Sequence, residues 1–179
     1  MGGKDLEDRF IRGYIAGVIG GIVMVLLDYI LFVLGISEAR YLDLVAIMIW
    51  GYVPLTVFGQ SIAQVIQLGH AALVGITFAF LVPVIDNKYL LFKGATYGAV
   101  VWFTVFAIGS LYKLSLFYLS SPTNAFSHLI TSAIWGVVAA VALTRMEKYA
   151  TARESRQVDS AVAVPAYKRY TGESDDNDS

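Results

Sequence analysis

The stretch Gly13–Leu34 carries a single charge, Asp28, in an otherwise uncharged and mostly apolar run. As a helix rising 1.5 Å per residue it would extend roughly 33 Å, enough to cross a hydrocarbon core of about 30 Å. A carboxyl at that depth costs about 2.5–3.5 kcal/mol on insertion scales, so it demands a partner or a proton. The run therefore favours architectures in which neighbouring helices shelter Asp28. Strands with open edges are excluded, because hydrocarbon leaves unpaired backbone amides without partners.

Composition agrees with a chain that meets lipid. It is 57% hydrophobic and only 15% charged, with a mean hydropathy of +0.64; a soluble domain would carry about a quarter charged residues. A net charge of −1 supplies no basic field for nucleic acid. The absence of cysteine excludes disulfides, thiolate metal sites and cysteine nucleophiles. Ser37-Glu38-Ala39 loosely fits a signal-peptide cleavage site, but the preceding apolar run is longer than the usual core of about 7–15 residues. The segment is expected to stay with the protein.

Apolar length predicts four spans, at about 13–34, 62–85, 94–116 and 126–143. The segment 42–58 is also apolar, but it is short and contains Asp43, Gly51 and Pro54. Basic residues arbitrate. With four spans, Lys4, Arg9 and Arg12, then Lys88 and Lys93, then Arg145, Lys148, Arg153 and Arg156 all fall on one side. Only Arg40 and Lys113 fall on the other. The positive-inside rule then places both termini and the middle loop in the cytoplasm of a multi-pass inner or plasma membrane protein.

The segment 42–58 becomes part of the outer connection, where Tyr41, Trp50 and Tyr52 suit headgroups and Pro54 ends or kinks a helix. It reads either as an interfacial or partly re-entrant helix, or as an apolar loop packed on the bundle. Residues 1–12 form an N-terminal flank and residues 13–144 the membrane domain. Residues 145–179 form a helical extension that gives way, from Val158, to a tail too polar and finally too acidic to order itself. Glycine spacing recurs in spans one and three without making a convincing repeat.

Helices in lipid associate through small residues spaced four apart. Gly13, Gly17 and Gly21 form such a stripe in span one, and Gly94 and Gly98, extended by Gly109, form one in span three. Asp28 lies within roughly 20° of Gly21 on the helical wheel and so shares the packed face. Gln60, Gln64 and Gln67 occupy one face of span two with His70 at its edge, and His128, Ser132, Trp135 and Ala139 align in span four. Lys113 and His128 fall near the outer ends of their spans. Asp28, Gln64, Gln67, His70, Lys113 and His128 are thus expected to gather in the outer half of the bundle. Each also has a plainer role: packing for Asp28, helix bridging for His70, snorkelling for Lys113 and an interfacial position for His128.

Catalytic signatures are missing. The serines occupy no nucleophile elbow, and no glycine-lysine phosphate loop occurs. Haem held by His70 and His128 is disfavoured by their different depths. Asp28, His70 and His128 form a chemically sensible zinc or iron set, though without close spacing in sequence. No cofactor is expected.

The glycine-rich start at Gly13–Gly21, the long apolar-aromatic connection, His70 opening a long second span, the stretch Gly94-Ala95-Thr96-Tyr97-Gly98-Ala99-Val100-Val101-Trp102 after a basic turn, and His128 heading the last span before a basic exit carry a resemblance. Over about residues 10–150 the chain resembles the small four-span inner-membrane proteins of the YagU and YqhR types from bacteria. The resemblance implies an integral membrane protein and supplies no active site; Asp28, Lys113 and the tail are not carried over from it. The expectation is a four-helix, all-α membrane protein that is not an enzyme and acts through packing with itself, with partner proteins or with lipids, or in a stress-related membrane function. The alternatives are an oligomeric proton- or cation-coupled transporter or channel using Asp28 and His70, and a metal-binding membrane enzyme.

Overall fold

The computed structural model describes residues 3–82 and 89–171. Among the described residues six helices follow one another: α1 Gly3–Val33, α2 Tyr41–Trp50, α3 Val57–Leu81, α4 Leu90–Leu111, α5 Ser115–Tyr118 and α6 Pro122–Thr171. Among the described residues there is no strand. Four helices contain segments long and apolar enough to cross a membrane: Leu6–Val33, Val57–Leu81, Leu90–Leu111 and Pro122–Ser160. The helices fall into two compact units, Met1–Leu143 and Thr144–Ser179.

Helix ends follow local chemistry more than hydropathy. At the end of α1, Gly35 adopts φ 71°, and the amide of Ile36 donates to the Leu31 carbonyl at 2.9 Å. This left-handed closure reverses the chain. The helix between α1 and α3 is shorter than 42–58, because Gly51 at φ 75° stops it after Trp50. Pro54 lies beyond that stop, in the non-helical approach to α3. Thr56 caps α3, accepting from the Gly59 amide at 3.2 Å. The third span ends at Leu111, five residues before its expected limit, because Lys113 takes a left-handed conformation with φ 54°. The fourth begins earlier than Phe126: Ser121 accepts from the Asn124 amide at 3.2 Å, and Pro122 suits the first helical position. The expected end of the second span at Ile85, and Lys88, lie outside the described residues.

Two helix pairs come into near backbone contact. A Cβ on Gly75 of α3 would sit 2.5 Å from both the Gly13 carbonyl oxygen and the Gly17 Cα of α1. In the second pair, a Cβ on Gly98 of α4 would strike the Ser132 carbonyl of α6, and one on Gly136 the Gly94 carbonyl. Gly109 instead accommodates the ring of Phe117. Small residues thus set the helix separation, as expected where packing must come from close approach. Gly75 and Gly136, the partners in these contacts, lie outside the stripes recognised in the sequence.

Helix α2 is sunk among the others. Leu42, Leu44 and Ala46 are almost wholly buried; Leu42 and Ala46 pack with Ala63, and Leu44 packs with Phe106 and Phe117. In the second unit, helix continues past Val158 to Thr171, beyond the point where the sequence suggests that order ends. The acidic end, 172–179, lies outside the described residues.

Candidate functional site

Asp28 and His128 are drawn together at the centre of the first unit. Their burial is essentially complete, at 2% and 0% exposure. Asp28 Oδ2 accepts a short hydrogen bond from the backbone amide of Tyr41. Tyr41 is the first residue of α2, where the opening amides of a helix lack partners within it. The carboxyl therefore serves as an acceptor at the positive end of the α2 dipole, a favourable place for it. His128 Nδ1 approaches Asp28 Oδ1 to 3.2 Å. The two atoms are close enough to attract, but their alignment misses hydrogen-bond geometry, and His128 Nε2 has no hydrogen-bond partner.

Tyr41 closes this centre on a third side. Its ring stands edge-on to His128, with centroids 5.2 Å apart at 90°. Its hydroxyl accepts from Ser132 Oγ at 3.5 Å. One turn further along α6, Trp135 donates from Nε1 to the Gly17 carbonyl at 3.1 Å. The aligned residues of span four, His128, Ser132, Trp135 and Ala139, are all buried.

A second polar knot lies at the start of α6. The side chain of Asn124, 1% exposed, accepts at Oδ1 from Ser37 Oγ at 2.8 Å and the Glu38 amide at 3.0 Å. Its Nδ2 donates to Ser120 Oγ at 2.9 Å. The turn that follows α1 is thereby stitched to α6. Arg40 makes a third knot, donating to Asp43 Oδ1 at 2.9 Å and Oδ2 at 3.0 Å. Its guanidinium also lies over the rings of Tyr29 and Phe32, 5.4 and 5.3 Å from their centroids. Pairing with Asp43 raises the Arg40 pKa above its ordinary value. Gln60 belongs here, accepting from Arg40 at 3.4 Å and donating to the Pro54 carbonyl at 3.2 Å.

The six polar residues expected to gather do not form one cluster. Asp28 and His128 meet, and His128 is core, not interface. His70 is exposed and makes neither hydrogen bond nor ion pair to Asp28. Counted from residue 62, the expected start of the span, His70 falls about 12 Å along it at 1.5 Å per residue. Helix α3 begins at Val57, which puts His70 roughly 20 Å along the helix at 1.5 Å per residue. Lys113 is exposed at the left-handed turn after α4, away from the carboxyl. Gln64 donates to Gln67 Oε1 at 2.9 Å within α3, leaving the buried Gln67 Nε2 without a partner.

A metal site built from Asp28, His70 and His128 therefore lacks its third ligand. Among the described residues no group of three His, Cys, Asp or Glu side chains is placed to hold a metal ion. A transport site pairing Asp28 with His70 meets the same obstacle.

Sequence reasoning missed Tyr41 as a backbone donor, Asn124, Ser37 and the Trp135 bridge. Asn124 follows a Ser-Pro helix start, a signal that marks the cap but not its long-range partners. No family model, curated protein or solved structure matches the chain.

Proposed function

We propose that this is a multi-pass integral membrane protein, its termini cytoplasmic, that is not an enzyme and works through helix packing with lipids, partner proteins or further copies of itself. The observation that carries this reading is the burial of Asp28 and His128, with the Tyr41 amide bonded to the carboxyl. These polar groups join α1, α2 and α6 in a site with almost no exposure. A proton or cation pathway needs a wetted route to its ionisable groups, and Asp28 and His128 are both buried, at 2% and 0% exposure.

The membrane assignment has separate support. Helix faces turned outward carry large apolar residues, among them Leu26 at 60%, Leu73 at 63% and Phe103 at 66% exposure. Such a surface suits lipid far better than water. The basic flanks support the cytoplasmic placement of both ends. Likeness to the YagU and YqhR types fits the same reading.

Reconstitution into proteoliposomes tests it. Wild-type protein is expected to pass neither protons nor monovalent cations under an imposed gradient, while Asp28→Asn lowers thermal stability in detergent. Flux through the wild type that disappears in a folded Asp28→Asn protein would install the transport reading instead.

A further inference from the structure

A crevice between α3 and α4, floored by α2, is the feature that the packing role leaves unexplained. It has two adjoining parts that share Tyr41 and His70. The larger, about 170 Å³, is walled by apolar side chains such as Leu44, Val45 and Val105. Its rim includes Met48, Ile49 and Ile66, all exposed, so it opens sideways from the bundle. The smaller, about 20 Å³, reaches inward to Gln67 and Ser132. The crevice is closed along α3 where the Tyr97 hydroxyl donates to the Val74 carbonyl at 3.1 Å.

Three properties of the crevice define what would fit. First, its inner part presents unused donors. Gln67 is 2% exposed, its Oε1 is occupied by Gln64, and its Nε2 has no partner. Tyr41 receives a hydrogen bond from Ser132, which leaves its own hydroxyl proton to give. Buried donors left unmatched cost free energy, so an acceptor is called for. Second, no Lys, Arg, Asp or Glu lines either part. At roughly 20 Å along α3 from Val57, a charged headgroup would be poorly compensated. Third, a cavity of about 150 Å³ holds one benzene ring, and the larger part matches that size.

We propose that this crevice binds a neutral, membrane-dissolved carbonyl compound with a ring-sized apolar body, the chemistry of a quinone head. The ring occupies the apolar part, its carbonyl oxygen accepts from Gln67 Nε2 and Tyr41, and its tail leaves sideways past Met48 and Ile66. His70 at the opening offers a further ring nitrogen to a second carbonyl. This inference rests on the membrane reading, because a sideways opening admits such a molecule only from a bilayer.

The test uses the full chain in lipid nanodiscs, with a decyl-substituted benzoquinone as probe and decylbenzene as its carbonyl-free control. The quinone is expected to raise the thermal unfolding midpoint saturably, with an affinity about tenfold above that of decylbenzene, the worth of one hydrogen bond. Gln67→Leu should remove that advantage while leaving decylbenzene binding unchanged, and Val105→Phe should exclude both compounds. Equal affinity for the two compounds, unaltered quinone affinity in Gln67→Leu, or no saturable binding by the wild type overturns the proposal. Alkaline extraction of native membranes separates the two readings. Release of the chain to the supernatant overturns the membrane assignment, whereas a retained chain without saturable quinone binding overturns this inference alone.

Discussion

Asp28 stands out in the sequence because a lone carboxyl in an apolar run needs a partner, and the structure gives one of its oxygens a hydrogen bond and the other a nearby ring. Its two oxygens face different partners, the Tyr41 amide and the His128 ring. Asp28→Ala removes both and leaves the first amide of α2 buried without an acceptor. Its loss is expected to be about 2–3 kcal/mol, from the desolvation of an unmatched buried group. Asp28→Asn keeps a carbonyl oxygen for Tyr41 and should cost about half as much by the same rule. The order of unfolding midpoints in detergent, wild type above Asn above Ala, checks this; identical midpoints for the two variants would show that the Tyr41 bond contributes little. At this scale the helical wheel was informative about direction. It placed Asp28 on the packed face but gave no view of Tyr41, because a backbone amide leaves no trace in side-chain pattern.

Between helices, the decisive residues are those whose absence of a side chain permits contact. Gly75 and Gly69 lie on the same helix, six residues apart, in opposite circumstances. A methyl group at Gly75 would meet α1 backbone at 2.5 Å, while one at Gly69 meets nothing within 4 Å. Gly75→Ala is therefore expected to force α1 and α3 apart and lower the unfolding midpoint. Gly69→Ala should raise stability by about 0.5–1 kcal/mol through helix propensity alone. Paired thermal melts decide it, and a Gly75→Ala protein as stable as its Gly69→Ala counterpart would refute the close-packed interface. The stripes in α1 and α4 were legible as four-residue spacing. Their partners were not, since Gly75 and Gly136 stand alone and acquire meaning only from the helix across from them. Helix limits show the same division: the apolar runs were plain, while ends depended on caps such as Ser121 and on the left-handed turns at Gly51 and Lys113.

For the whole molecule, the proposed orientation, with both ends cytoplasmic, can be measured directly. The native chain has no cysteine, so single introduced thiols report cleanly. Tyr52→Cys, in the exposed turn after α2, should react with an impermeant maleimide on intact cells. Ala152→Cys, in the second unit, should react only after permeabilisation. The reverse pattern would invert the topology, and labelling of both would break it. Four apolar runs made the four long helices readable, because length and hydropathy are local properties. The grouping of polar residues was less so: counting residues fixes depth only when helix starts are known, and the early start of α3 carried His70 away from Asp28.

The bond between Asp28 and the opening of α2 has a consequence for biogenesis. A ribosome delivers α1 long before His128, yet the carboxyl it carries finds its ring partner only on the last helix. Under the proposed membrane placement, until α6 arrives the nascent protein holds an acidic group in an apolar surrounding with half of its shelter missing. Chains truncated before Ser121 should consequently be marked for degradation far sooner than full-length ones, making completion of synthesis the event that licenses survival.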